Sequence, residues 1–302
     1  MKKVSVHHNI PFKYLQLIGT AAADYEGIEK SENENCIEAV RLGGRNLREP
    51  SSLFLFPNCI IDFSSRALSQ MQRFNIDYNL IQYILITHPH RDHFSPLSII
   101  NMVSKAKNSP LIGGNSLTIK LLKKWEEENL NGHIVKTKLF IPFKEYRLGD
   151  IYVIPVEANH KVQLVETEVY LPKEFSTGEL KENKNTVQTA LNYIIRIKDQ
   201  TILYACDTGL PVERTYQFFK LFKFDIVIHE ATFESKEDSN HMNFRKITDV
   251  RSNMIGDGII TEKTPFILTH LSLNFTPVYD RIKEPFLKEG IIVGYDGMVV
   301  PL

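Results

Sequence analysis

Cysteine is scarce in this chain of 302 residues: there are three, Cys36, Cys59 and Cys206, odd in number and far apart. That leaves neither a disulfide framework nor a four-cysteine zinc site. Net charge is also missing, because Lys plus Arg and Asp plus Glu both number 36. No overall basic field draws the protein onto nucleic acid or anionic lipid. Long apolar runs are absent too, and the start, Met1-Lys-Lys-Val-Ser-Val-His-His-Asn, lacks the apolar core of a signal peptide. The expectation is a soluble, cytoplasmic protein with no membrane partner. Its 43% hydrophobic and 24% charged residues argue for an ordered core and against disorder.

What is present is a concentration of metal-binding chemistry. The stretch Ile84-Leu-Ile-Thr-His88-Pro-His90-Arg-Asp92-His93-Phe-Ser-Pro96 runs from an apolar, β-branched strand pattern into three histidines and an aspartate. Ser95-Pro96 reads as an N-cap followed by proline at the first helical position, so the histidines fall in a strand-to-helix turn. His88 and His90, separated by a proline that fixes the backbone, can share one ion, while Asp92 and His93 can face a second. Imidazole with carboxylate suits zinc, manganese or iron better than calcium or magnesium.

Around this turn the pattern predicts strands at 14–18, 52–56, 59–61, 82–87, 193–197, 201–205, 225–229, 266–269, 291–293 and 298–300. Helices are expected at 64–74, 95–105, from Asn115-Ser116 past Trp125, from Pro211 to about 222, and at 243–256. Residues 21–50 read as a long ordered loop. Residues 161–188 carry four lysines, five glutamates and one glycine with little apolar periodicity, and read as an inserted flap or arm. The rest reads as one domain over 1–302, and pattern alone supports only "mixed α and β".

The H-x-H-x-D-H spacing at a strand end resembles the metallo-β-lactamase superfamily of binuclear hydrolases. The resemblance implies an α+β fold, a four-layer αββα sandwich, and a further set of ligands in the family's order. His160 would complete the first site with His88 and His90; Asp207 would bridge; His270 would complete the second with Asp92 and His93. Two divalent ions, zinc or manganese with iron as a further option, would activate a bridging hydroxide that Asp92 helps to orient.

His229-Glu230-Ala-Thr-Phe233 with His241 resembles the HEAT motif and downstream histidine of tRNase Z and related phosphodiesterases. Glu230 would orient His241, which would stabilise the phosphoryl transition state or protonate the leaving oxygen. His229 ends a buried strand and is not expected to be a ligand. Leu17-Ile-Gly-Thr-Ala-Ala-Ala23, Leu42-Gly-Gly-Arg-Asn46 and Val293-Gly-Tyr-Asp-Gly-Met298 extend the likeness to the PhnP-like phosphodiesterases, implying a small phosphate-ester substrate, cyclic esters included. That resemblance gives Asp62 and Asp296 supporting places beside the site; Arg45, Arg48 and Lys161 are candidate phosphate contacts. Of the family's C-x-C-x-x-C cluster and later histidine, which hold a structural zinc, only Cys36 remains, with Ser31, Asn33 and Leu273 at the other three positions, so that zinc is expected to be lost.

A nucleic acid partner is not expected, because the insertion is slightly acidic where a tRNA-gripping arm is basic. The competing readings are tRNA 3′ processing and a non-catalytic, metal-binding accessory protein. A homodimer is left open. His7, His8 and His133 receive no role.

Overall fold

The computed structural model describes residues 13–129, 135–162, 168–172 and 188–302. Two seven-stranded sheets face each other. The first runs in the order β14 (Met298–Pro301), β1 (Tyr14–Gly19), β2 (Ser52–Leu55), β3 (Cys59–Ile61), β4 (Tyr83–Leu85), β5 (Leu111–Gly114) and β6 (Lys136–Leu139). The second runs β13 (Ile291–Val293), β12 (Phe266–Thr269), β11 (Ile226–Glu230), β10 (Gln200–Ala205), β9 (Gln188–Ile197), β8 (Ile151–Val162) and β7 (Tyr146–Leu148).

Strand alternation sorts the side chains into layers. Leu15, Leu17, Leu53, Leu55 and Ile61 of the first sheet pack against Tyr193, Ile195, Tyr204 and Ile228 of the second, forming the inter-sheet core. On the outer face of the first sheet, Ile60, Ile84 and Ile112 meet Met71, Ile99 and Leu121 from helices Ala67–Arg73, Pro96–Lys105 and Ser116–Asn129. The second sheet turns Leu203, Val227 and Phe266 outward onto Phe219, Ile247 and Ile282 of helices Glu213–Phe219, Phe244–Gly256 and Tyr279–Lys288. The result is the four-layer αββα sandwich expected from the sequence.

The two sheets are tied together beside the histidine turn. Tyr193 Oη donates to Ile86 O at 2.6 Å, and Leu191 N donates to Thr87 O at 2.9 Å. Strand β9 thus fixes the residues immediately before His88. Beyond the turn, Ser95 accepts from Ser98 N and starts the helix with Pro96, as its sequence implied.

Two helices were missed by pattern. Glu34–Leu42 lies within the expected loop, started by Asn33, whose side chain accepts from Asn35 N. It buries Cys36 and Ala39 while Ile37, Val40 and Leu42 stay exposed, so its apolar residues do not mark its inner face. Tyr279–Lys288 contains Pro285, a residue that reads as a helix breaker. None of the helices among the described residues is long and apolar enough to cross a membrane.

Candidate metal centre and active site

The strands of both sheets deliver their end residues to one point. Asp62 follows β3 and Asp207 follows β10 after Cys206, while His270 follows β12; all three have left-handed backbones, with φ of 62°, 54° and 53°. Such torsions are uncommon outside glycine, though Asp and His adopt them more readily than most residues. Glu230 is the last residue of β11. His160 differs from expectation: it does not follow a strand end but sits inside β8, at an irregularity in register between Glu157 and Lys161.

Two groups of donor atoms form, as the sequence suggested. His88 Nε2 lies 2.9 Å from His90 Nδ1, which lies 3.3 Å from His160 Nε2, and Asp207 Oδ2 is 3.0 Å from His88 Nε2. Alongside, His93 Nε2 lies 3.2 Å from Asp92 Oδ2, 3.2 Å from His270 Nε2 and 3.3 Å from the same Asp207 oxygen. These separations approach the edge of a tetrahedron of ligands about 2 Å from a zinc ion, which is about 3.3 Å. Asp207 stands between the two groups and belongs to both.

The charge states also suit a cation. Burial, with His93 and His90 beside it, holds the His88 imidazole well below its ordinary value. Burial and His160 bring His90 down to about 4. Both rings are therefore held in the neutral form, which has a lone pair to offer. Asp92 and Asp207 are buried, yet neighbouring histidines overcome that cost and keep both carboxyls well below the usual range. Asp207 Oδ1 is buried without a hydrogen bond. His93 differs: burial opposes its charge, but Asp92 and Asp62 hold the imidazolium well above its ordinary value, a proton that a bound cation would displace. His88 and His90 as neutral imidazoles, with the two ionised carboxylates, are in the forms a divalent metal requires, so these donors fit the ions that the sequence implied.

Each donor group is held from behind by a threonine and a carboxylate. Thr87 Oγ1 donates to Asp62 at 2.9 Å, leaving its oxygen to accept from His88 Nδ1 at 3.0 Å. Asp62 Oδ2 also accepts from His93 Nδ1 at 2.8 Å. On the other sheet Thr232 Oγ1 donates to Glu230 Oε2 and accepts from His270 Nδ1 at 2.9 Å. In His88, His93 and His270 the second ring nitrogen is thus occupied, which points Nε2 at the centre; His90 instead faces it with Nδ1.

His241 completes the cluster from a different loop. Its Nδ1 is 3.0 Å from Asp207 Oδ1 and 3.1 Å from Glu230 Oε1. Burial opposes its charge, but Asp207 and Glu230 outweigh it and push the imidazolium up to about 11. Gly209 permits the loop's approach: a Cβ there would stand 2.2 Å from Ser239 O. Asn159 Nδ2 pins the same loop by donating to Leu210 O and Ser239 O.

A profile described as the beta-lactamase superfamily domain matches residues 55–256. The chain belongs to the metallo-β-lactamase superfamily. Solved superfamily structures share its fold along nearly the whole chain. A diphosphatase from the PhnP family aligns with TM-score 0.70 at 16% identity, covering 96% of this chain and 98% of its own. Zinc-bound PqqB from Methylobacterium extorquens gives 0.72 at 12% identity, with coverage of 96% and 100%. The short form of human tRNase Z gives 0.60 at 15% identity, with coverage of 95% and 98%. No curated protein matches the sequence.

Around this superfamily centre lies a cleft of about 590 Å³, lined in part by His90, Asp92, His160, Asp207, His241 and His270. Of the candidate phosphate contacts only Lys161 reaches it. Arg45 instead stacks on Tyr295, 4.0 Å from the ring centroid. Arg48 is buried and donates to Gly294 O and Thr20 Oγ1, so its charge serves the interior. Asp296 touches no ligand: it accepts from Thr20 Oγ1 at 2.8 Å and Glu49 N at 2.7 Å. It supports the centre only at a distance, since Thr20 O accepts from Leu271 N, next to His270.

His229 is buried at the end of β11 with Nδ1 against Glu230 O, apart from the ligand groups. At the positions where the resemblance led to an expected loss of a structural zinc, Asn33 Nδ2 donates to Asn274 O and Cys36 Sγ to Asn274 Oδ1. Much of the expected flap lies outside the described residues, as do His7, His8 and His133. Its two ends instead belong to the sheet, since Val162 in β8 pairs with Gln188 in β9, and residues 168–172 rest on the histidine turn through a bridge between Val169 and His90 and a hydrogen bond from Arg91 N to Glu168 O.

Sequence reasoning missed three contributors. Thr87 and Thr232 were in view within the motifs, but their hydroxyl roles depend on neighbours brought in by folding. Cys206 packs in the inter-sheet core, and its sulfur also lies beside His93 and His270. Its thiol stays protonated, because burial pushes it well above its ordinary value.

Proposed function

We propose that the protein is a metal-dependent phosphodiesterase acting on a small phosphate ester, cyclic esters included. His88, His90 and His160 would hold one divalent ion, Asp92, His93 and His270 a second, with Asp207 shared. Zinc and manganese suit the donors, and iron is a further option. Such ions, when bound, polarise phosphoryl oxygens and acidify water.

The observation that carries the reading is the placement of His241. Its proton-rich imidazole is braced by Glu230 and set against Asp207 at the cleft side of the cluster. Hydrolysis of a thioester releases a thiolate that needs no acid, whereas an alkyl phosphodiester releases an alkoxide that needs a proton. Water's oxygen would add to phosphorus as the ester P–O bond breaks. The departing oxygen would keep the bonding electrons and take the proton from His241, and a proton lost by the water would restore the imidazolium. Ionised Asp92 would orient the water, and Lys161 would face the phosphate's charge.

The cleft favours a small substrate over a polynucleotide. Beside Lys161 and Arg91 it carries Asp24, Glu26, Glu168 and Asp238, which repel a chain of phosphates. We also propose that residues 168–172, which contact the histidine turn, cover one side of the site.

The test is turnover of bis-p-nitrophenyl phosphate by protein loaded with manganese or zinc. Turnover that is lost on chelation and in Asp207→Ala supports the reading. Failure on every diester overturns it, and metal binding without hydrolysis would instead favour an accessory role.

A further inference from the structure

The cleft wall next to His241 is aromatic in a way that the chemistry at phosphorus does not use. Phe233 packs edge-on against His241, with centroids 5.6 Å apart, and Phe275 meets Phe233 edge-on at 5.5 Å. Both rings line the cleft. Phe233 is 7% exposed and serves as a floor, but Phe275 is 51% exposed. Its backbone is fixed, since Phe275 O accepts from Glu234 N at 3.1 Å and Phe275 N donates to Ser272 Oγ at 3.0 Å. A held, half-open ring is a ready stacking surface, because little ordering remains to be done on binding.

Lys236 adds a charge to this shelf. Its Nζ lies 4.5 Å from the Phe233 centroid and 5.1 Å from that of Phe275, a cation–π arrangement that places positive potential beside the rings. The shelf continues from His241, the group set to meet the leaving oxygen. We infer that the leaving-group side of the substrate carries a planar aromatic substituent, which stacks on Phe275 while its phosphate occupies the centre. The inference rests on the phosphodiesterase reading and names its substrate class: an aryl-bearing phosphate ester.

Binding of non-hydrolysable phosphonates to the zinc-loaded protein, followed by calorimetry, separates the two ideas. Benzylphosphonate should bind about tenfold more tightly than methylphosphonate, the scale of a single aromatic stacking contact. Phe275→Ala should erase that preference and Phe275→Leu, which keeps apolar bulk without the ring, should erase most of it. Methylphosphonate should bind wild type and both variants alike, which also shows that the variants are folded and metal-loaded. Equal affinity for the two phosphonates, or a preference that survives Phe275→Ala, would overturn the inference alone. Binding of neither phosphonate to zinc-loaded protein would overturn both it and the phosphodiesterase reading.

Discussion

Thr232 Oγ1 lies 2.9 Å from His270 Nδ1, and the same hydroxyl donates to Glu230, the residue that braces His241. One carboxylate therefore governs a candidate metal ligand and the candidate acid together. Thr232→Val keeps the shape but removes the hydroxyl, freeing the His270 ring to change tautomer or rotate. Zinc affinity should fall about 10- to 100-fold, the usual cost of losing such a supporting partner, and Thr232→Ser should restore most of it. Competition with a chromophoric chelator measures this directly.

Asp62 is fully buried and accepts from His93 Nδ1 and from Thr87 N and Oγ1. Asp62→Ala strands all three donors. Breaking such a buried cluster should cost about 3–5 kcal/mol of stability, seen as a lower urea midpoint in chelated protein.

If His241 protonates the leaving oxygen, its loss should matter most when that oxygen is basic. His241→Ala should slow cleavage of an alkyl diester about 100-fold or more, with a much smaller effect on a p-nitrophenyl ester, whose leaving group needs no proton. An equal loss on both would assign His241 to charge stabilisation.

Asp296 supplies a pH dependence away from the centre. Burial, against the opposing hydrogen bonds of Thr20 and Glu49 and the nearby charges of Arg48 and Arg73, pushes its carboxyl up to about 7. The unfolded chain releases this proton near pH 4, so between about pH 4 and 7 the folded state binds more protons. Stability from this residue is thus greatest at the acid end and falls as pH rises through the window. Asp296→Asn should flatten that slope in thermal melts recorded across the range.

The predicted ligands were legible because strand ends are marked by abrupt changes from apolar to polar residues, and His88 to His93, Asp207 and His270 all stand at such changes. The fold came from the family resemblance that the motif carries, since pattern alone supports only mixed α and β. His160 was found although the strand continues past it, since an irregularity in register, invisible in composition, turns it inward. Arg48 and Asp296 misled because a charged residue in a loop gives no sign of being buried; here Thr20 and Gly294, distant from Arg48 in sequence, supply its partners. The helix at Glu34–Leu42 was hidden for the converse reason, with Ile37, Val40 and Leu42 facing outward. Thr87 and Thr232 show the remaining gap: a hydroxyl's role is set by what lies on both sides of it.

The most direct test is the anomalous scattering of crystals grown with zinc or manganese. Two peaks are expected, one among His88, His90 and His160 and the other among Asp92, His93 and His270, with Asp207 reaching both. A single peak, or occupancy that persists in Asp207→Ala at both positions, would contradict a shared two-ion centre.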